Sequence, residues 1–584
     1  MSKAAAQMRT SLKRSHPGEQ PGHDVYGTPR NDEFYDAHVY DKLDSSKREV
    51  RLLRVLPDHG AGLVECELLC KKPLQTIHRT YSALSYCAGV PNKTQLITVN
   101  GIKFRAFANL AHALAEARHF WKKLYGSKEF LLWVDQICID QQNIPERSQQ
   151  VGLMRDIYSS AEEVLICLST NKASGRGIQW LQSLNQCVPR RDNDLDTKYR
   201  GEESFRLPVN VPFEYFHWHR LNAYLWENTT NESFMRGWLA VYDIFESPWW
   251  MRGWVYQEFL SATHAHFLYG RNSISWNDLS PILDSYLSVS RHFATRGDLF
   301  LDKNQGFSAN GLEYRRLSRI SEREKRAERA EGMVALMVES KLRWSGPTSL
   351  VSLLSHSRHC ITSDVRDTVY AVLGLAYSGY GIVPDYSPEK SISDILIETA
   401  KKIIQFDDSL EILTHASDKG VLAGSLPSWV PDWTCKEEPE VRLVLKNPEF
   451  RNINHPSDWT KAHASFEYLS SVSHRIILKA WGGFVDILET KIARKLPTDD
   501  HLGAFYTAKG YTILCTSHVR ALDELWVVCG SQRPLIMRRS GDGYLLISVA
   551  TAFQEDSPHD IFPCRDIISK IVSGASPKEE ILIY

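Results

Sequence analysis

The sequence predicts an α/β protein: a parallel sheet with helices on both faces, then a mainly helical region and a small β-rich unit at the C-terminal end. Three observations predict it. From Thr80 short apolar runs alternate with amphipathic stretches, as βαβ units do; past residue 310 long helix-period stretches take over; and from about Ile476 apolar runs are separated by Gly-rich turns.

Residues 1–45 are polar, rich in Gly and Pro and without periodicity, and are expected to form a flexible N-terminal segment. The sheet-bearing unit is expected over 46–275. It opens with EVRLLRVLP and GLVECELL on either side of DHGAG, which reads as a β-hairpin. YSALSY is a strand, and ANLAHALAEARHFW sets Leu110, Ala113, Leu114, Ala117 and Phe120 on one helical face. FLLWVDQICI reads as the next buried strand, with Asp135 at its end. Pro145, Glu146 and Arg147 suit the first turn of a helix that runs through SQQVGLMRDIYSSA to the strand EVLICLS. Polar, loop-like residues near 171–240 read as an insertion, after which the helix PWWMRGWVYQEFLSA and the strand HAHFLYG resume the alternation.

Residues 276–470 read as mainly helical. Glu and Arg are interspersed in EYRRLSRISEREKRAERAEGMVALMVESKLRW, so it is expected to be a solvated helix with i,i+4 ion pairs rather than a nucleic-acid contact. TVYAVLGLA and ISDILIETAKKIIQF are further helices. Over 471–584, RIILKAWGGFVDIL, ELWVVCG, PLIMRR and GYLLISVATAF suggest a small antiparallel barrel or sandwich.

Composition narrows the function. With 584 residues, 43% of them hydrophobic, the chain can build more than one core. Its 69 basic residues against 70 acidic ones leave a net charge of -1, so no whole-chain field draws it to nucleic acid or an anionic membrane. The 11 cysteines include no C-x-x-C pair, and the 21 histidines show no ligand spacing, so neither a metal site nor a disulfide framework is indicated. A polar, basic start without an apolar stretch, and no uncharged run near the ~20 residues that span a bilayer, fit a cytoplasmic protein. Motifs for a P-loop, a dinucleotide fold, a zincin and a nucleophile elbow are all missing. Cys138 lies in an apolar run and reads as an inert core cysteine.

Ordered motif blocks carry a family resemblance. YSALSYCAG at 81–89, NLAHALAEAR at 109–118, the stretch Leu131–Leu168 containing LLWVDQICIDQQNIPERSQQVGLM, and PWWMRGWVYQEF at 248–259 resemble the blocks of the HET domain of fungal heterokaryon-incompatibility proteins. SDVRDTVYAVLGL, VPDYS and LPSWVPDW resemble segments that follow this domain in long members. Cys87-Ala88 stands where the family usually shows an aromatic residue before Gly89.

The resemblance implies a flavodoxin-like sheet of about five parallel strands, because HET domains are similar to the TIR superfamily. Many TIR domains hydrolyse NAD with a glutamate in a W-x-x-x-E arrangement, and Trp254-Val255-Tyr256-Gln257-Glu258 has that spacing. One helical turn separates the two residues, so they would share a face. The expectation is then a cell-death effector in heterokaryon incompatibility and innate immunity. Glu258 would be catalytic, NAD a substrate and not a cofactor, and activity would follow self-association or a protein trigger. Ligands of open parallel sheets lie beyond the carboxyl ends of the strands, which proposes Ser85, Tyr86, Gly89, Asp135 and Gln136, with Trp250, Arg252 and Trp254, as substrate-binding.

Plainer readings stand beside these. Glu258 also fits a structural carboxylate paired with Arg252, and Trp249, Trp250 and Trp254 fit an aromatic core, for Trp249 the better reading. Asp135 fits a loop or helix cap, Glu146 and Arg147 a helix start with a salt bridge, and Asp432 a turn. The alternative function is a non-catalytic signalling or recognition module acting through protein contacts.

Overall fold

A computed structural model of the chain describes residues 31–58, 60, 63–90, 92–170, 175–187, 228, 231–280, 283, 312–416, 425–435, 459–468, 476–491, 502–516, 518–553 and 562–584.

The segment 31–45, expected to be flexible, is folded, while residues 1–30 lie outside the described residues. Helix α1 (Asp32–Ala37) buries Phe34 completely, edge-on to Phe104 with ring centroids 5.1 Å apart. Asn31 pins it by accepting from the Arg105 backbone N–H (2.7 Å) and donating to the Arg105 carbonyl (3.3 Å). Further along, the Tyr40 hydroxyl donates to the Ile137 carbonyl at 2.9 Å. Two aromatic residues in polar sequence, Phe34 and Tyr40, anchor this arm, which is why periodicity did not reveal it.

The centre of the molecule is a nine-stranded mixed sheet. In chain order its strands are β1 (Leu53–Val55), β2 (Glu65–Leu68), β3 (Ser82–Tyr86), β4 (Thr94–Val99), β5 (Ile102–Phe107), β6 (Leu131–Trp133), β7 (Glu163–Cys167), β8 (Ala265–Tyr269) and β9 (Asn272–Ser275). In space they run β9-β8-β7-β3-β6-β1-β2-β4-β5. The neighbours β8, β7, β3 and β6 are parallel, with Ser85 opposite Ile166 and Ile166 opposite Phe267. By order of appearance these four stand 4-3-1-2, the flavodoxin-type arrangement, and the winding reverses between β3 and β7. Four parallel strands, where about five were expected, are extended on one side by the antiparallel β9 and on the other by β1, β2, β4 and β5, among which only β2 and β4 pair in parallel. Every residue of β3 and β7 is buried, as the centre of a sheet covered on both faces requires. The expected hairpin exists, with Leu53 opposite Leu68.

Right-handed crossovers place successive connections on opposite faces of such a sheet. Helix α2 (Ala108–Tyr125) lies against β3, β7 and β8, with the five apolar residues read from the sequence all buried. The strand expected over 130–139 ends at Trp133, and Asp135–Cys138 turns into a short helix, α3. Helix α4 (Ile144–Ser160) follows, capped by Asn143 accepting from the Glu146 N–H at 3.1 Å. The ends of the expected insertion are helical, α5 (Arg176–Cys187) packing on α6 (Glu232–Phe245), whereas its middle lies outside the described residues. The short helix α7 (Val255–Leu260) then contacts α4.

Beyond the sheet come α8 (Leu312–Leu342), α9 (Leu350–Ser357), α10 (Asp367–Leu373) and α11 (Ile392–Asp407). Helix α11 starts with a capping box between Ser391 and Asp394. The later half of α8 is not merely solvated: Val334, Met337 and Val338 are buried.

The C-terminal unit contains β10 (Ser465–Tyr468), β11 (Ile476–Lys491), β12 (Leu502–Thr507), β13 (Thr512–Thr516), β14 (Glu524–Val528), β15 (Leu535–Ser540), β16 (Gly543–Val549), β17 (Thr551–Phe553) and β18 (Glu579–Ile583), with one helix, α12 (Phe562–Val572). Strand β14 pairs with both β15 and β11, so β14, β15, β16, β18 and β11 close into a ring. Two features differ from the expected all-antiparallel unit: β16 and β18 are parallel, and β10 joins the sheet from before residue 471. One apolar core runs without a break from Phe34 to Ile583, and a second, around Trp459, Val485, Leu525 and Ile568, lies within the C-terminal unit.

Candidate active site at the carboxyl ends of the parallel strands

The segment that carries Glu258 is fixed from its start. Ser247 donates through Oγ to the Leu168 carbonyl (2.6 Å), just past β7, and its Oγ accepts from the Trp249 N–H (3.3 Å), which begins a 3-10 turn over Pro248–Met251. Every residue of α7 is buried, so its apolar members Val255, Tyr256, Phe259 and Leu260 hold a six-residue helix that propensity alone would not.

Glu258 accepts a hydrogen bond from the Ser85 hydroxyl at the carboxyl end of β3. That Oγ in turn accepts from the indole N–H of Trp249 at 2.7 Å. Arg252 Nη1 stands 4.0 Å from Glu258 Oε1 and donates to the Tyr86 carbonyl, and the guanidinium carbon lies 5.9 Å from the centre of the Tyr86 ring. The Tyr86 hydroxyl donates to Asp135 Oδ1 at 3.1 Å, and the same oxygen accepts from the Gln136 N–H at 2.8 Å. Gln136 Oε1 accepts from the Phe107 N–H (3.3 Å), while its buried Nε2 has no hydrogen-bond partner among the described residues. Gly89 has φ +86°, and a Cβ there would sit 2.4 Å from Asn109 Nδ2, the group that donates to the Cys87 carbonyl at 2.8 Å.

Ser85, Tyr86, Asp135, Gln136, Arg252 and Glu258 thus form one connected set at the ends of β3 and β6, and Gly89 is joined to it through Cys87 and Asn109. Burial pushes the Glu258 carboxyl up to about 7; the Asp135 charge adds to this, and Arg252 with the Ser85 hydroxyl oppose it. For Arg252, burial works against the charge, yet Glu258 and the Cys87 thiol outweigh it and bind its proton more firmly than usual. Burial also raises the Cys87 thiol.

Other residues singled out from the sequence lie elsewhere. Trp250 is a core residue and not part of the set: its N–H donates to the Ile244 carbonyl (3.0 Å) and its ring stacks on Phe267 at 5.9 Å. The Trp254 N–H turns to Asp367 Oδ2 (3.0 Å) in the helical region. Glu146 forms a buried ion pair with Arg51 at 2.7 Å, and Arg147 stacks over Tyr386 at 4.1 Å. Asp432 accepts from the Thr434 N–H (2.9 Å), as a turn carboxylate does. Cys138 is buried within α3, its thiol pushed up to about 12, as an inert core cysteine should be. Sequence reasoning missed the N–H of Trp249 reaching Ser85; its ring is core, as read, and only the fold shows where the nitrogen ends.

Glu258 is enclosed, 2% exposed. Two cavities among the described residues, of about 360 and 320 Å³, are lined by Tyr370, Asp385, Lys390 and Glu398 in one case and by Arg48, His78 and Asp156 in the other. No cluster of three or more His, Cys, Asp or Glu suited to a metal ion occurs among the described residues.

Residues 81–258 match the family described as Heterokaryon incompatibility protein (HET), and the match ends at Glu258 itself. The chain carries a HET domain. It is also 26% identical over 422 residues to Heterokaryon incompatibility protein 6, OR allele, of Neurospora crassa, an alignment covering 65% of this chain and 57% of that relative. The chain thus spans little more than half the length of the relative. No solved structure matches it. The HET match begins at Tyr81, immediately before β3, and so contains β3, β6 and β7 together with every member of the connected set. Among the described residues no helix is long and apolar enough to cross a membrane.

Proposed function

We propose that this HET-domain chain acts in heterokaryon incompatibility and innate immunity as a cell-death effector, and that on self-association its HET domain hydrolyses NAD to nicotinamide and ADP-ribose with Glu258 as the catalytic carboxylate. The observation that carries the reading is a buried glutamate, pushed up to about 7, at the carboxyl ends of parallel strands beside the point where the winding reverses. The heterokaryon role rests on the HET match and the printed name of the relative. The NAD chemistry rests on the W-x-x-x-E spacing of Trp254 and Glu258 that resembles the TIR superfamily.

The reaction suits a single carboxylate. When the bond from the ribose C1′ to the pyridinium nitrogen breaks, its electron pair leaves with nicotinamide, which departs neutral and needs no proton. The ribose is left with an oxocarbenium charge that an adjacent carboxylate stabilises, and water adds to C1′ and releases a proton. Ser85, which already donates to Glu258, and Arg252 would orient it. The unpartnered Nε2 of Gln136 would find an acceptor in a ligand oxygen.

A second reading, a non-catalytic recognition module, is favoured by the 2% exposure of Glu258. Incubating the full chain, alone and in assembled form, with NAD and chromatographing the products separates the two. Nicotinamide release abolished by Glu258→Gln supports the enzyme with Glu258 as its carboxylate; equal release by that variant rejects the role of Glu258, and no release in any assembly state supports the module.

A further inference from the structure

The segment that carries Glu258 is held from outside the HET domain. The Gly253 N–H donates to the Ile361 carbonyl (3.1 Å) and the Ile361 N–H to the Met251 carbonyl (2.5 Å), so the two strips run as a short parallel bridge. Trp254 donates to Asp367 Oδ2 at 3.0 Å, at the first residue of α10, and Gln257 Nε2 to the Tyr370 carbonyl one turn on (3.4 Å). The Tyr256 hydroxyl reaches the His356 carbonyl of α9 at 3.4 Å. At the far end Lys341 of α8 donates to the carbonyls of Leu260 (3.1 Å) and Ala262 (2.6 Å), where a cation meets the negative end of α7. Asp367 is itself fixed: its Oδ1 accepts from the Tyr386 hydroxyl (2.5 Å), and the Tyr386 ring lies between the guanidinium groups of Arg147 (4.1 Å) and Arg366 (5.2 Å).

These contacts come from α8, α9, α10 and the Ile361 segment between α9 and α10, and they grip both ends of a helix whose every residue is buried and whose Glu258 is closed against Ser85 and Arg252. We propose that the helical region after the HET domain is an autoinhibitory clamp on residues 251–262, with Trp254–Asp367 and Lys341 as its two fasteners, and that Glu258 becomes accessible when they let go. The inhibitory sense of the clamp rests on the reading of Glu258 as the reacting carboxylate; the mechanical part does not.

The test uses the full chain with Trp254→Phe and Lys341→Met combined, which remove three hydrogen bonds while keeping the ring and the aliphatic stem. Arg343→Ala, which breaks only the exposed pair with Glu339, is the control. Three quantities are read: hydrogen exchange of residues 251–262, carbodiimide coupling of glycinamide to Glu258 followed by mass spectrometry, and nicotinamide release from NAD. The double variant is expected to exchange this segment about tenfold faster with distant segments unchanged, to label Glu258 several-fold more, and to release more nicotinamide than the parent. Unchanged exchange and labelling overturn the clamp whatever the activity. Increased labelling with decreased release overturns its inhibitory sense, since the contacts would then position the helix for catalysis. Increased labelling with no nicotinamide from any form leaves the clamp standing and removes Glu258 as the reacting group.

Discussion

The indole N–H of Trp249 donates to Ser85 Oγ at 2.7 Å, and this leaves the Ser85 proton directed at Glu258. Trp249 therefore decides which way the serine hydroxyl points without touching the carboxylate. Trp249→Phe keeps an aromatic ring but removes the N–H, which frees the hydroxyl to rotate; Ser85→Ala removes the hydroxyl. Both should move the Glu258 carboxyl above its value of about 7, because the Ser85 hydrogen bond favours the charged form. Carboxyl-band infrared titration, taken as a difference against Glu258→Gln, measures the shift. Ser85→Ala should lose about 1 kcal/mol of stability, and Trp249→Phe more, because it also leaves a cavity where a fully buried indole stood.

Glu258 and Asp367 also set a pH dependence of stability. Glu258 is raised from 4.5 to about 7 and Asp367, chiefly by burial, from 3.8 to about 6. A carboxyl raised on folding holds its proton in the native state where the unfolded chain has lost it. Its contribution is therefore full below the unfolded value and is lost as pH rises through the folded one. Denaturation midpoints should fall between about pH 4 and pH 7. Glu258→Gln should flatten the upper part of this slope, worth on the order of 3 kcal/mol, and Asp367→Asn the lower part. A parent-minus-variant difference that does not change across that window rejects the assignment for that residue.

Arg51 and Glu146 form a buried ion pair at 2.7 Å, and Arg51 Nη1 also donates to the Cys138 carbonyl at 3.1 Å. Arg51→Met leaves Glu146 charged and buried without its partner, so a loss of about 3–5 kcal/mol is expected in chemical denaturation. The Arg51 guanidinium also lies 4.7 Å from the Tyr40 ring. Limited proteolysis should then cut first within residues 31–45.

Gly89→Ala is predicted to cost about 1–3 kcal/mol, since the added Cβ meets both a positive φ and Asn109 Nδ2 at 2.4 Å. Asn109→Ala, which removes the obstructing amide, should recover part of that loss in the double variant. A thermal melt series of the four proteins gives the coupling.

Much of the central sheet was legible because periodicity reports burial: the strand at 82–86, the helix at 108–125 and the strand at 163–167 stand where the apolar spacing put them. The hairpin of β4 and β5 was missed, although Asn100-Gly101 between two alternating runs is a strong short-range hairpin signal, and both residues take positive φ (53° and 77°). The strand through Asp135 was overextended because apolar residues continue past Trp133 into α3; a buried helical turn and a buried strand look alike over four residues. Glu258 could be singled out by the likeness of its W-x-x-x-E arrangement to TIR domains, but its enclosure could not, since the residues that hold its helix, Lys341 and Asp367, lie about 80 to 110 positions further along the chain.

The placement of β8 bears on how this protein can be dissected. Residues 81–258 contain β7 but not its partner Ala265–Tyr269, nor the strands at 53–55 and 65–68 on the far side of β6. A fragment trimmed to those limits would present β7 and β6, in which Leu, Ile, Val and Trp predominate, as two naked edges open to pairing with other copies. Recombinant pieces intended to retain the HET fold should therefore be cut outside Leu53 and Ser275, or insoluble material will be mistaken for biological assembly.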